Sequence, residues 1–65
     1  MEEWQQRVID EQAELAEKIN GLWWFIGGGE FQNIAAHDQY LLSAQHGMMS
    51  SYSEILLRRI AQFPK

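Results

Sequence analysis

The chain has 65 residues, 46% of them hydrophobic, with nine acidic and five basic side chains, a net charge of −4 and no cysteine. This excludes disulfides, thiolate metal sites and a surface that grips the many phosphates of a DNA or RNA polymer, and the histidines His37 and His46 are too few for a zinc site. A domain this small buries only about 60% of its unfolded surface, so with no disulfide or metal it is expected to assemble with copies of itself.

The start, Met1-Glu2-Glu3-Trp4, is acidic and lacks the basic-then-apolar order of a signal peptide. The longest apolar run, Leu22-Trp23-Trp24-Phe25-Ile26, falls far short of the roughly 20 residues a membrane span needs, so no membrane partner is expected. A small anionic ligand held by one or two well-placed cations is compatible with the acidic balance.

The first element is a helix over about residues 2–26. Trp4, Val8, Leu15, Ile19, Leu22 and Ile26 recur at helical spacing on one side, with Gln12, Ala16 and Trp23 beside them. Glu14 and Lys18 stand in the favourable i,i+4 order for an ion pair. Gly21 interrupts a run of good helix formers, and a close backbone contact is the expected reason. Trp24 lies nearly opposite the stripe and is expected to be buried by a partner copy.

Gly27-Gly28-Gly29 is expected to end this helix in left-handed backbone. The glycines lack the preceding strand and following Lys-Ser/Thr of a phosphate loop. Residues 30–36 read as a short helical turn that folds Phe31 and Ile34 against the long helices. The second long helix is expected over about 38–62, with Asp38 as its cap and Pro64 as its stop. Its apolar face runs through Leu41, Leu42, Gln45, Met48, Met49, Tyr52, Ile55, Leu56, Arg59, Ile60 and Phe63. At about 100° per residue these fall in one sector roughly 140° wide. The chain has little else to cover it. Arg59 within that stripe needs a carboxylate, a carbonyl or a ligand phosphate. His46 borders the same helix beside Gly47.

The fold class is therefore all-α: an antiparallel αα-hairpin of two long helices with a short helical connector, forming one domain over 1–65, assembled as a compact homo-oligomer.

The order Glu14-Leu15, Lys18-Ile19, Leu22, Phe25-Ile26, Phe31, Leu41-Leu42, Gln45, Met49, Tyr52, Leu56, Arg59-Ile60 resembles the phage-encoded anti-CBASS sponges. These proteins disarm a bacterial immune pathway by sequestering its cyclic-oligonucleotide messengers. The resemblance covers about residues 4–61. It implies a homohexamer that holds cyclic dinucleotides between adjacent protomers, and in some members cyclic trinucleotides at separate three-fold sites, without cleaving them. It implies no cofactor, and the cytoplasm of the infected host as the place of action. The family's dinucleotide pocket uses an aromatic side chain early in the first helix and a lysine further along, which correspond to Trp4 and Lys18. The expected aromatic is tyrosine, so Trp4 is a departure.

The residues themselves fit that pair. Trp4, Arg7, Glu11, Lys18 and Leu22 share one border of the first helix. Trp4 and Lys18 are fourteen residues apart, about 21 Å along the axis. Two such helices crossing head to tail would set Trp4 of one copy against Lys18 of the other, an aromatic wall for a base and a cation for a phosphate. The candidate dinucleotide residues are thus Trp4, Arg7, Lys18 and Leu22, and the candidate trinucleotide residues are His46 and Arg59. No nucleophile–base pair, paired catalytic carboxylates or metal cluster is evident, so no enzymatic activity is expected. The alternative is a small helical oligomeric adaptor that binds a protein partner.

Overall fold

The computed structural model of the chain describes residues 1–64. Two long helices, α1 (Glu3–Ile26) and α2 (Ala36–Ala61), pack antiparallel as a hairpin, joined through a 3-10 connector at Gly29–Asn33. The hairpin is a rod of 47 × 14 × 14 Å.

The packing follows a coiled-coil seam. On α1 the positions withdrawn from solvent are Gln5, Val8, Gln12, Leu15, Ile19, Leu22 and Ile26, alternately three and four residues apart, with Ile9 beside them. On α2 they are Gln39, Leu42, His46, Met49, Ser53, Leu56 and Ile60, with Ser50 beside them. That 3.5-residue repeat keeps one stripe of each helix facing the other. The fully buried apolar centre is small: Val8, Phe31 and Leu56, of which Leu56 has no exposed surface. Polar groups on the seam find partners. The Gln12 side-chain amide donates to the Ser53 hydroxyl at 3.3 Å. Gln5 accepts the backbone N–H of Glu2 at 2.8 Å, holding the first turn of α1.

The hairpin is closed at both ends by aromatic contacts. At the open end, Trp4 meets Phe63 edge-on with ring centroids 5.1 Å apart. At the turn, Phe25 and the buried Phe31 make a T-shaped pair at 6.2 Å, which anchors the connector on α1.

Several sequence expectations are corrected here. No glycine has a positive φ among the described residues. Gly27 caps α1 in right-handed backbone and Gly28 is extended. The glycine at 28 relieves crowding instead: a Cβ there would sit 3.3 Å from the Trp24 carbonyl oxygen and 3.5 Å from that of Phe25. The second helix begins at Ala36, so Asp38 lies in its first turn and caps nothing. There its carboxylate faces the positive end of the helix dipole. A Cβ at Gly21 would meet nothing within 4 Å, so no close contact within the chain explains that glycine. The Glu14–Lys18 pair is absent among the described residues. The ion pairs are Arg7–Glu3 at 3.0 Å and Arg58–Glu54 at 3.1 Å, both exposed.

The broad stripe of α2 divides in two. α1 covers Leu42, Met49, Leu56 and Ile60, whereas Leu41, Gln45, Met48, Tyr52, Ile55 and Arg59 are exposed. The reason is geometric: one partner helix covers a narrow two-position seam, not a wide sector. Arg59 is therefore not buried in this chain, which overturns the expectation that burial forces a partner on it.

Candidate ligand-binding face

Two faces flank the hairpin seam. On the first, α1 presents Trp4, Glu11, Lys18 and Phe25, which recur every seven residues and so share one side of the helix. Beside them α2 presents its exposed residues around Tyr52. The Tyr52 hydroxyl donates to the Glu11 carboxylate, a bond that spans the two helices and ties this face together. That hydrogen bond, partial desolvation and the nearby Glu11 charge raise the Tyr52 pKa above the usual tyrosine value, and Arg59 acts in the opposite sense.

The four residues expected at a dinucleotide site are not gathered within one chain. Trp4 is half exposed, with one edge against Phe63. Its remaining indole surface is open to a flat group. Lys18 is exposed and has no ion-pair partner among the described residues. Arg7 shares the Trp4 end of the helix but its guanidinium is held by Glu3. Leu22 is half-buried on the seam and offers only part of its surface. Trp4 and Lys18 stand about 21 Å apart along α1, with Glu11 between them. One chain supplies an aromatic wall at one place and a cation at another.

The second face carries a shallow groove of about 330 Å³ lined by residues that include Ile19, Asn20, Trp23, His46, Ser50, Glu54 and Leu57. The His46 ring lies over Trp23 at 5.2 Å with the planes tilted by 35°. His46 is half-buried and points toward α1, not outward at the helix border. Arg59 lies about 140° around α2 from it, on the Tyr52 side. The two residues expected at a trinucleotide site thus face different ways within one chain.

Sequence reasoning missed two participants. Glu11 accepts the hydrogen bond from Tyr52, and the signal for it is its place seven residues after Trp4 on the same side of α1. The Trp23–His46 contact crosses between helices, so nothing local in the chain signals it. Among the described residues no group of three or more His, Asp or Glu side chains could hold a metal ion. No helix of the structure is long and apolar enough to cross a membrane.

The sequence profile of the family described as Sequestin matches residues 2–62. A 7.5 kDa protein from the denB–rIIB intergenic region of Enterobacteria phage T4 is 43% identical over 60 residues, spanning 92% of this chain and 94% of that protein. No solved structure matches the chain.

Proposed function

The chain belongs to the Sequestin family, and from that premise we propose that it is a phage immune-evasion protein that sequesters bacterial cyclic-nucleotide messengers. It holds cyclic dinucleotides, and cyclic trinucleotides at a second site, without cleaving them. It works as a homo-oligomer, of six copies on the family resemblance, in the cytoplasm of the infected host. A phage setting is supported by the T4 relative, and a holding rather than a chemical role by the family's description.

The observation that carries this reading is the heptad border of α1. Trp4 leaves half of its surface open, and Lys18 on the same side is a cation without a carboxylate partner among the described residues. A cyclic dinucleotide presents flat bases and anionic phosphates, which match those two groups. Because the groups are about 21 Å apart in one chain, a pocket needs Trp4 from one copy and Lys18 from another. Arg7 and Leu22 flank it, and His46 and Arg59 are proposed for the trinucleotide, each from a different copy. A site shared across a two-fold axis would supply stacking twice, at about 1–3 kcal/mol per base.

Calorimetric titration with a panel of cyclic di- and trinucleotides tests the reading, with the ligand recovered afterwards by heat denaturation. Saturable binding and unchanged ligand are expected. Absence of heat across the panel would remove the nucleotide reading. The adaptor alternative draws on Trp24, which is 74% exposed and points away from the seam. Capture of one defined host protein without nucleotide binding would favour it.

A further inference from the structure

We propose that the exposed outer seam of α2 is where a second copy of this chain docks, antiparallel and about a two-fold axis, with Met48 of each copy against the partner's Tyr52. This rests on the reading that the chain self-assembles, and it specifies which face does so and in what register.

The outer seam keeps its own coiled-coil repeat. From Asp38 to Gln62 its positions alternate three and four residues, as the inner seam does. It is turned about 100° from the stripe that faces α1. Its apolar members are left open in the single chain: Leu41 is 48% exposed, Met48 71%, Tyr52 43% and Ile55 55%. A solitary exposed leucine is ordinary, but four large side chains at a sustained heptad spacing form a surface matched to another helix with the same repeat.

The ends of the seam choose the occupant and its direction. Asp38 lies at one end and Arg59 near the other, and neither has an ion-pair partner among the described residues. In an antiparallel pair centred between Met48 and Tyr52, Leu41 comes level with the partner's Arg59. Asp38, one turn earlier, is then within reach of that guanidinium, whose remaining N–H donors stay open to the ligand proposed for Arg59, and the two-fold axis repeats the pair at the other end. A parallel pair would set Asp38 against the partner's Asp38 and Arg59 against the partner's Arg59, which like-charge repulsion disfavours. Sliding the antiparallel pair so that Tyr52 meets the partner's Ile55 would leave Leu41 uncovered and separate Asp38 from its cation. In this register Gln45 comes level with the partner's Ile55, and its side-chain amide keeps its contact with the Met49 sulfur of its own helix at 3.6 Å. On the flank away from α1 the central positions Ala44, Gly47 and Ser51 are small, and the larger Tyr40, Glu54 and Arg58 stand exposed toward its ends.

The test uses the full chain, with mass by light scattering and helicity by circular dichroism over a dilution series. The parent is expected to be a dimer or an even multiple of one. Ile55→Glu is expected to lower the mass while helicity at high concentration is retained. Asp38→Lys and Arg59→Glu are each expected to weaken association by about tenfold or more, and their combination to restore it, because the double exchange rebuilds opposite charges at both ends. The chain has no cysteine, so mixing Met48→Cys protein with Tyr52→Cys protein under mild oxidation reads the register directly, without depending on the charge variants folding. A mixed disulfide between those two supports the proposal; a link that forms only between Tyr52→Cys and Ile55→Cys proteins overturns the register. An oligomer unmoved by Ile55→Glu and giving no such disulfide overturns this interface while leaving self-assembly standing. A parent that is monomeric at micromolar concentration overturns both.

Discussion

At the scale of single residues, Lys18 and Trp4 carry the ligand prediction. Lys18 is exposed and makes no ion pair among the described residues, so its removal costs the fold little. Lys18→Ala is expected to weaken cyclic-dinucleotide binding by roughly ten- to a hundred-fold, the loss of a charge-assisted contact of about 1.5–3 kcal/mol. Trp4→Ala is expected to lose a similar amount through stacking, whereas Trp4→Tyr keeps most of it, since a phenol ring preserves both the stacking surface and the edge contact with Phe63. Titration calorimetry on the three variants decides the matter; parental affinity in both alanine variants would place the site elsewhere. Tyr52 gives a separate prediction in pH. Its hydroxyl must keep its proton to donate to Glu11, and its pKa in the fold is raised. The bond therefore contributes its full stability below the unfolded tyrosine value of about 10 and loses it as pH rises through the higher folded value. The stability difference between the parent and Tyr52→Phe, measured by denaturant titration at a series of pH values, is expected to shrink above about pH 10. A difference that grows with pH would contradict the bond.

At the scale of the helices, stability is concentrated in few places. Leu56 is wholly buried between α1 and α2, while its neighbour Leu57 is 47% exposed beside the groove. Leu56→Ala is expected to cost about 2–5 kcal/mol through lost burial and the cavity left behind. Leu57→Ala is expected to cost clearly less. Thermal melts of both at one concentration test this, and equal losses would mean that the seam is not set as described. The polar seam residues Gln12 and Ser53 satisfy each other. Breaking one partner leaves the other withdrawn from water, which is costlier than the modest net value of the bond.

At the scale of the molecule, the single hairpin leaves too much apolar surface uncovered. Trp23 and Trp24 are 61% and 74% exposed, and Met48 is 71% exposed. The apparent melting temperature is therefore expected to rise with protein concentration, as it does when folding is coupled to association. Ligand that bridges copies is expected to stabilise further, by about 2.7 kcal/mol at a hundredfold excess over its dissociation constant. A melt independent of both concentration and nucleotide would count against self-assembly and against a shared site together. Ligand released on denaturation is expected to be intact and no more than stoichiometric. Cleaved nucleotide exceeding the protein in amount would instead reveal turnover.

The two helices, the antiparallel hairpin and the place of the turn were legible in the sequence because helical periodicity is a local property, written in spacing, and Gly27 to Gly29 interrupts it plainly. The seven-residue spacing of Trp4, Glu11, Lys18 and Phe25 was legible for the same reason, whereas Leu22 falls on the inner seam. Which part of the α2 stripe faces inward was not, because Leu41 and Leu42 are equally apolar and only the docking of α1 selects between them. The Tyr52–Glu11 bond and the Trp23–His46 contact were likewise invisible, since each joins positions far apart in sequence through the register of the hairpin. Sequence alone determined that the chain folds as helices with more apolar surface than one copy can hide. Tertiary structure alone decided which surface is left over, because a single partner helix can cover only one narrow seam at a time.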